Sequence, residues 1–144
     1  MDFLILLDFD NEGRKVSKLL SDEFGIDETR ILMLDAISGN QEDAELEDLV
    51  SITFYLKALN LAYADVFVQK LSRKSITTSD LDKPSFGGIK AFFRKQRIGR
   101  SRRVDKVRVA KRIYELVAEG KAPAKQSISD FSKLFDTINQ VLAT

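Results

Sequence analysis

The run FLILLDFDNEG, Phe3 to Gly13, decides the fold. Its first five residues are continuously apolar rather than alternating, the pattern of a central parallel strand covered on both faces. The run stops at Asp8. A helix is predicted from about Glu12, with Asn11 or Asp10 as its cap. Val16, Leu19, Leu20 and Phe24 keep helical spacing, and Gly25 is placed to end the helix. Ile31 to Leu34 reads as a second short strand. Strand, helix and strand within roughly thirty residues make a right-handed crossover unit with parallel strands.

Beyond Ala44 the pattern turns mainly helical. Phe54, Leu56, Leu59 and Leu61 are too densely apolar to define one face, and Ala62 to Leu71 fits either strand or helix. Ser72 to Phe86 reads as a loop or boundary, with Pro84 inside it and Gly87 and Gly88 just beyond. Val104, Val107, Ala110, Tyr114 and Val117 then mark an amphipathic helix closed by Gly120. Ile128, Phe131, Leu134, Phe135, Ile138, Val141 and Leu142 form the apolar stripe of a last helix, with Ser127 or Ser129 as its cap. That stripe is read as core packing.

The 144 residues are 44% apolar and 31% charged, with no Cys, His or Trp. Such a length buries a real core without disulfides or structural metal. The missing residue types exclude zinc sites of the usual ligand sets, Cys or His nucleophiles and a Ser-His-Asp triad. Chemistry is left to carboxylates, amines, hydroxyls or a hard metal. No secretory signal or membrane span is visible, and a cytoplasmic, membrane-free protein is expected.

The net charge of +1 conceals two opposed regions. Residues 1–50 carry fourteen acidic against four basic residues; the remainder carries nineteen basic against eight acidic. Charge runs are usually solvated faces, but here each sign is concentrated. Glu42, Asp43, Glu45, Glu47 and Asp48 form an acidic knot. Lys90, Arg94, Lys95, Arg97, Arg100, Arg102, Arg103, Lys106, Arg108, Lys111 and Arg112 form a basic one. An acidic metal pocket beside a basic strip for a polyanion is one arrangement of such halves, and mutual neutralisation is the other. Phe92 and Phe93 interleave with the cations of GGIKAFFRKQRIGRSRR, Gly87 to Arg103. They serve either a phosphate-contacting surface of Lys90, Arg94, Lys95, Arg97, Arg100, Arg102 and Arg103, or the core side of a basic helix.

Asp8 and Asp10 sit where the apolar strand ends. Residues two apart in an extended segment point to the same side, so the two carboxylates can share one divalent cation. Carboxyl ends of parallel strands are where ligands bind in α/β sheets. Mg²⁺ fits best, being held by one or two carboxylates together with water and substrate phosphate. The plainer alternative is that an Asp in this position only caps the next helix. A D-x-D after a hydrophobic strand also occurs in haloacid-dehalogenase-like phosphatases, but their D-x-D-x-[TV] pattern has Thr or Val where this chain has Glu12.

The segment LLDFDNEGRK, Leu6 to Lys15, resembles the D-x-D-x-x-G motif of the toprim domain through Asp8, Asp10 and Gly13. FGIDETRILML, DAELEDL, FYLKALN, DKVRVAKRIYEL and ISDFSKLFDTINQVL follow in the order of the carboxyl-terminal half of a nuclease of the overcoming-lysogenization-defect (OLD) family. The resemblance implies an α/β fold: an incomplete toprim-like parallel sheet flanked by helices, with a mainly helical C-terminal half. Residues 1–75 would be the toprim-like part and 76–144 the basic helical part of one compact unit. It further implies a DNA endonuclease using Mg²⁺ or Mn²⁺, with two ions. Asp8 and Asp10 would be metal ligands, and Glu45, Glu47 or Asp48 would complete the set. Lys106 would lie near the scissile phosphate, with Lys111 as its alternative.

Toprim domains open with a strand and helix bearing a Glu that precede the D-x-D strand. Here only Met1 and Asp2 precede that strand. The expectation is a homo-oligomer, a partner chain that completes the sheet, or a longer polypeptide. In such nucleases the longer polypeptide includes an ABC-type ATPase part, which has no counterpart in these residues. The alternative function is a non-catalytic nucleic-acid-binding or assembly module derived from a toprim nuclease.

Overall fold

A computed structural model describes residues 3–34, 45–72, 74, 86–98 and 103–143. The chain forms two compact units, Met1–Leu49 with Lys125–Thr144, and Val50–Ala124. In this division the last helix belongs with the strands. The architecture is mixed α/β: among the described residues, a small open sheet of two parallel strands and five helices.

In the first unit, β1 (Ile5–Leu7) pairs in parallel with β2 (Ile31–Met33), Leu6 lying opposite Leu32. The Leu34 N–H extends the ladder to Leu7 O at 3.2 Å. Between the strands runs α1 (Asn11–Asp22), with Asp10 as its N-cap. Gly25, at φ +64°, supplies the left-handed turn that ends it, so the Ile26 N–H reaches Leu20 O at 3.0 Å. A 3-10 turn over Glu28–Arg30 leads into β2. Asp27 caps that turn by accepting from the Thr29 N–H, and this bond holds its carboxyl below the usual carboxylate range.

The core of this unit joins residues distant in sequence. Leu32 and Leu34 of the second strand region, Leu49, and Leu134 of α5 (Lys125–Leu142) form a buried cluster. Leu4, Phe9, Phe131 and Ile138 pack against it. Arg30 adds a long bond of 3.5 Å to Val141 O in the last turn of α5, where a cation suits the exposed carbonyls.

Two expectations need correction in this unit. The strand is not covered on both faces: Phe3 is 43% and Leu6 36% exposed. With two strands among the described residues, one edge of β1 carries no ladder, and the run FLILL keeps solvent on part of its surface. The α5 stripe is core only at Phe131, Leu134 and Ile138, while Ile128 and Phe135 are more than half exposed. The helix also begins at Lys125, which places Ser127 and Ser129 inside it rather than at its cap.

In the second unit, α2 (Ile52–Ala62) explains why no single apolar face could be read: Phe54, Tyr55, Leu56, Ala58, Leu59 and Ala62 are all buried. It is a central helix, packed against α4 (Lys106–Ala118). The segment Ala62 to Leu71 is neither strand nor helix beyond Ala62. The chain turns at Tyr63, whose carbonyl accepts from the N–H groups of Val66 and Phe67. It then returns along α2, where the Asn60 amide donates to Leu71 O at 2.8 Å and accepts from Leu71 N at 2.7 Å. One side-chain amide thus satisfies a backbone pair that a sheet would otherwise have satisfied.

The third helix, α3 (Phe86–Gln96), takes Gly87 and Gly88 into its first turn and buries Ile89 and Phe93. Asp105 caps α4 by accepting from Arg108 N, and Gly120 at φ +77° closes it. The face expected inward, however, lies outward. Val107 is 79% and Tyr114 74% exposed, whereas Val109 and Leu116 are buried and Ile113 partly so. Two stripes of helical period share this helix, and α2 packs against the one with three branched aliphatic side chains. The loop expected from Ser72 to Phe86 lies almost wholly outside the described residues.

Candidate metal and nucleic-acid site

The D-x-D pair lies where β1 gives way to α1. Both carboxylates are half-buried. Asp10 Oδ1 accepts from Gly13 N at 2.7 Å, so the plainer expectation for this residue, helix capping, is met. A carboxylate has two oxygens and about four lone-pair sites, so a cap bond and a cation are compatible. Asp8 does something the motif alone does not convey. Its Oδ1 accepts from the backbone N–H of Leu46 at 3.0 Å.

That bond brings the acidic 3-10 turn Leu46–Leu49 to the tip of β1. Glu45 and Glu47 are half-buried there, and Asp48 is exposed, its Oδ2 accepting from Glu45 N at 2.8 Å. Asp8 and the described part of the acidic knot, Glu45, Glu47 and Asp48, are thus brought to one end of the sheet. Among the described residues, however, no three carboxylates converge closely enough to hold a metal ion as a group. Glu42 and Asp43 lie outside the described residues. The donor chemistry suits Mg²⁺, a hard cation that commonly takes one or two carboxylates and fills its remaining positions with water and phosphate.

Gly13 has a reason to be glycine that requires no unusual dihedral angle. A Cβ at this position would lie 1.9 Å from Asp8 O, a backbone atom with no freedom to swing away. The glycine of the D-x-D-x-x-G pattern is thus fixed by the close approach of the first turn of α1 to the strand end. In an ordinary helix Gly→Ala gains about 1 kcal/mol. Here Gly13→Ala is expected to lose roughly 1–3 kcal/mol by overpacking, and the sign of the change in a urea titration is the check.

Asp10 offers a second separation. Asp10→Ala removes the cap and is expected to cost about 1 kcal/mol, whereas Asp10→Asn keeps an acceptor for Gly13 N and removes only the charge. Comparison of the two melting temperatures reads the cap; comparison of their divalent-ion binding reads the carboxylate.

The basic residues divide by what they touch. Arg108 pairs with Asp65 at 2.7 Å and lies over the Tyr63 ring at 4.5 Å, and Arg112 pairs with Glu115. Those two cations serve the fold. Arg94, Lys95, Arg97 and Arg103 are exposed, and Lys90 is half-buried on α3. Among the described residues Arg94, Lys95 and Arg97 form no side-chain ion pair. Phe93 is fully buried, which meets the core expectation, while Phe92 is only half-buried. Arg100 and Arg102 lie outside the described residues. Lys106 is the exposed first residue of α4 and belongs to the second unit, whereas Asp8 and Asp10 belong to the first.

Sequence reasoning missed two participants. The Leu46 amide is a backbone group and leaves no side-chain signature. Asn60 ties down the segment that faces α3 through its two bonds to Leu71, and no motif in the sequence marks it. No helix among the described residues is long and apolar enough to cross a membrane. Comparison of the chain with protein-family models, with curated proteins and with solved structures finds no match.

Proposed function

We propose that this chain is a metal-dependent nuclease module of the toprim type, OLD-like, that hydrolyses phosphodiester bonds of DNA. The observation that carries the reading is the Leu46 N–H bond to Asp8, because it sets the acidic turn beside the D-x-D tip. Asp8 and Asp10 would hold Mg²⁺ or Mn²⁺, with Glu45, Glu47 or Asp48 as further ligands for this ion and a second one. When bound, such ions supply an activated water and stabilise the leaving oxygen. The chain's own residues then have separate tasks. Asp10 fixes the start of α1 through Gly13, which holds the loop between the two carboxylates in one conformation. Exposed Arg94, Lys95, Arg97 and Arg103 bind phosphates without reading bases, and Lys106 is the candidate ammonium for charge on the scissile phosphate.

The same reading carries a partner chain or second copy along β1, an ABC-type ATPase part in a longer polypeptide, and a cytoplasmic location. The test is nicking of supercoiled plasmid by the purified protein with Mg²⁺ or Mn²⁺, with Asp8→Asn as control. The second reading, a non-catalytic nucleic-acid-binding or assembly module, is favoured by the lack of a three-carboxylate group among the described residues. It is recognised by salt-sensitive DNA binding with no nicking under any divalent ion.

A further inference from the structure

We propose that the second unit holds one unpaired base of a single-stranded nucleic acid in the cleft between residues 66–71 and α3. This rests on the nucleic-acid part of the reading above, but not on catalysis. The cleft is about 480 Å³ and is lined by Phe67, Gln69, Lys70, Phe92, Gln96 and Ile98, among others. That volume lies within the range of small-molecule sites. The rings of Phe67 and Phe92 stand 6.3 Å apart at 89°, so a planar ligand lying flat on one meets the edge of the other. Phe92 is only half-buried, unlike its neighbour Phe93, which fills the core behind it.

Each wall contributes the chemistry a nucleotide needs. Aromatic faces stack any base, and the amides of Gln69 and Gln96 can both donate to and accept from a base edge. One cation, Lys70, lines the cleft, and Lys95 and Arg97, both exposed, flank the lining residue Gln96 in sequence. None of the three forms a side-chain ion pair among the described residues. Their positive charge is complementary to the phosphates of a bound strand.

Arg97 supplies an independent observation. Its φ is +53°, the left-handed conformation at which glycine ends helices, and it is the one non-glycine residue so placed among the described residues. Its N–H bonds Arg94 O, and the Ile98 N–H reaches Phe93 O at 3.1 Å, so the turn that closes α3 is built around a strained cation. Strain kept where glycine would relieve it is a mark of a working position.

The test is fluorescence anisotropy of a short labelled oligothymidylate with the full chain in EDTA, where no cleavage occurs. The wild type is expected to bind the single strand more tightly than the same sequence in a duplex. Phe92→Leu, which keeps apolar bulk but no π-face, is expected to weaken binding about 5- to 150-fold with little change in melting temperature. Arg97→Gly is expected to weaken binding while raising the melting temperature. Binding is read in EDTA and needs no cleavage, so a failed nuclease reading leaves this result intact. Unchanged binding by Phe92→Leu, equal preference for duplex, or no binding by the wild type overturns the proposal. An oligouridylate arm tells RNA from DNA as the source of the strand.

Discussion

Asp8→Asn is expected to lower metal-dependent plasmid nicking on the order of 10²–10³-fold while leaving the melting temperature within about a degree of the wild type. The substitution is chosen for what it keeps. Asparagine retains an Oδ1 acceptor, so the Leu46 N–H still has its partner and the acidic turn stays at the end of β1. What disappears is one negative charge of the two on the D-x-D pair. If the pair neutralises a divalent ion, that loss falls on the transition state, where charge on the phosphate is largest. Isothermal calorimetry with Mn²⁺ gives a second reading on the same protein. Wild-type nicking by Asp8→Asn would remove Asp8 from any role in the reaction. An Asp8→Ala comparison adds the loss of the Leu46 partner, about 0.5–1.5 kcal/mol for a bond open to water, and separates structural from chemical damage.

The largest expected effect on stability lies in the other unit. Phe93→Ala should cost about 3–5 kcal/mol, read as a fall in the urea midpoint. The ring is fully buried and meets Tyr63 edge-on at 5.0 Å, Phe67 at 5.9 Å and Phe92 at 6.5 Å. Its removal therefore leaves a cavity among aromatic side chains that are anchored elsewhere and cannot all close in. Tyr63, for one, accepts from the Asp105 N–H at 2.8 Å through its hydroxyl. Against a typical domain stability of roughly 5–15 kcal/mol, such a loss is a large fraction. A shift below about 1 kcal/mol would mean that α3 is not packed on this cluster.

What could be read from the residues was mostly local. Asp10 as a cap and Gly25 and Gly120 as helix ends depend on neighbours within a few positions, the parallel pairing of two short strands follows from a short crossover, and the chain shows all of these as expected. Burial was harder. In α4, Val107, Tyr114 and Val117 have the same period as Val109, Ile113 and Leu116, and only the position of α2 decides which set is covered. The α5 stripe is wider than the surface it meets, so Phe135 stays outside while Leu134 is core. The candidate site shows the same division. D-x-D-x-x-G was legible as a motif, and its glycine is explained by a clash with Asp8 O. The bond that brings residue 46 to residue 8 was not, because a main-chain donor thirty-eight positions away leaves no trace in side-chain chemistry.

The first unit is assembled from the two ends of the chain, while the second is continuous. On the ribosome, residues 50–124 emerge complete and are free to fold while the strands still lack Leu134. At roughly 5–20 residues per second, the nascent D-x-D segment waits several seconds for the helix that seals its core. Until that helix leaves the exit tunnel, Leu32, Leu34 and Leu49 lack the contact that Leu134 supplies, and the acidic tip has no finished scaffold.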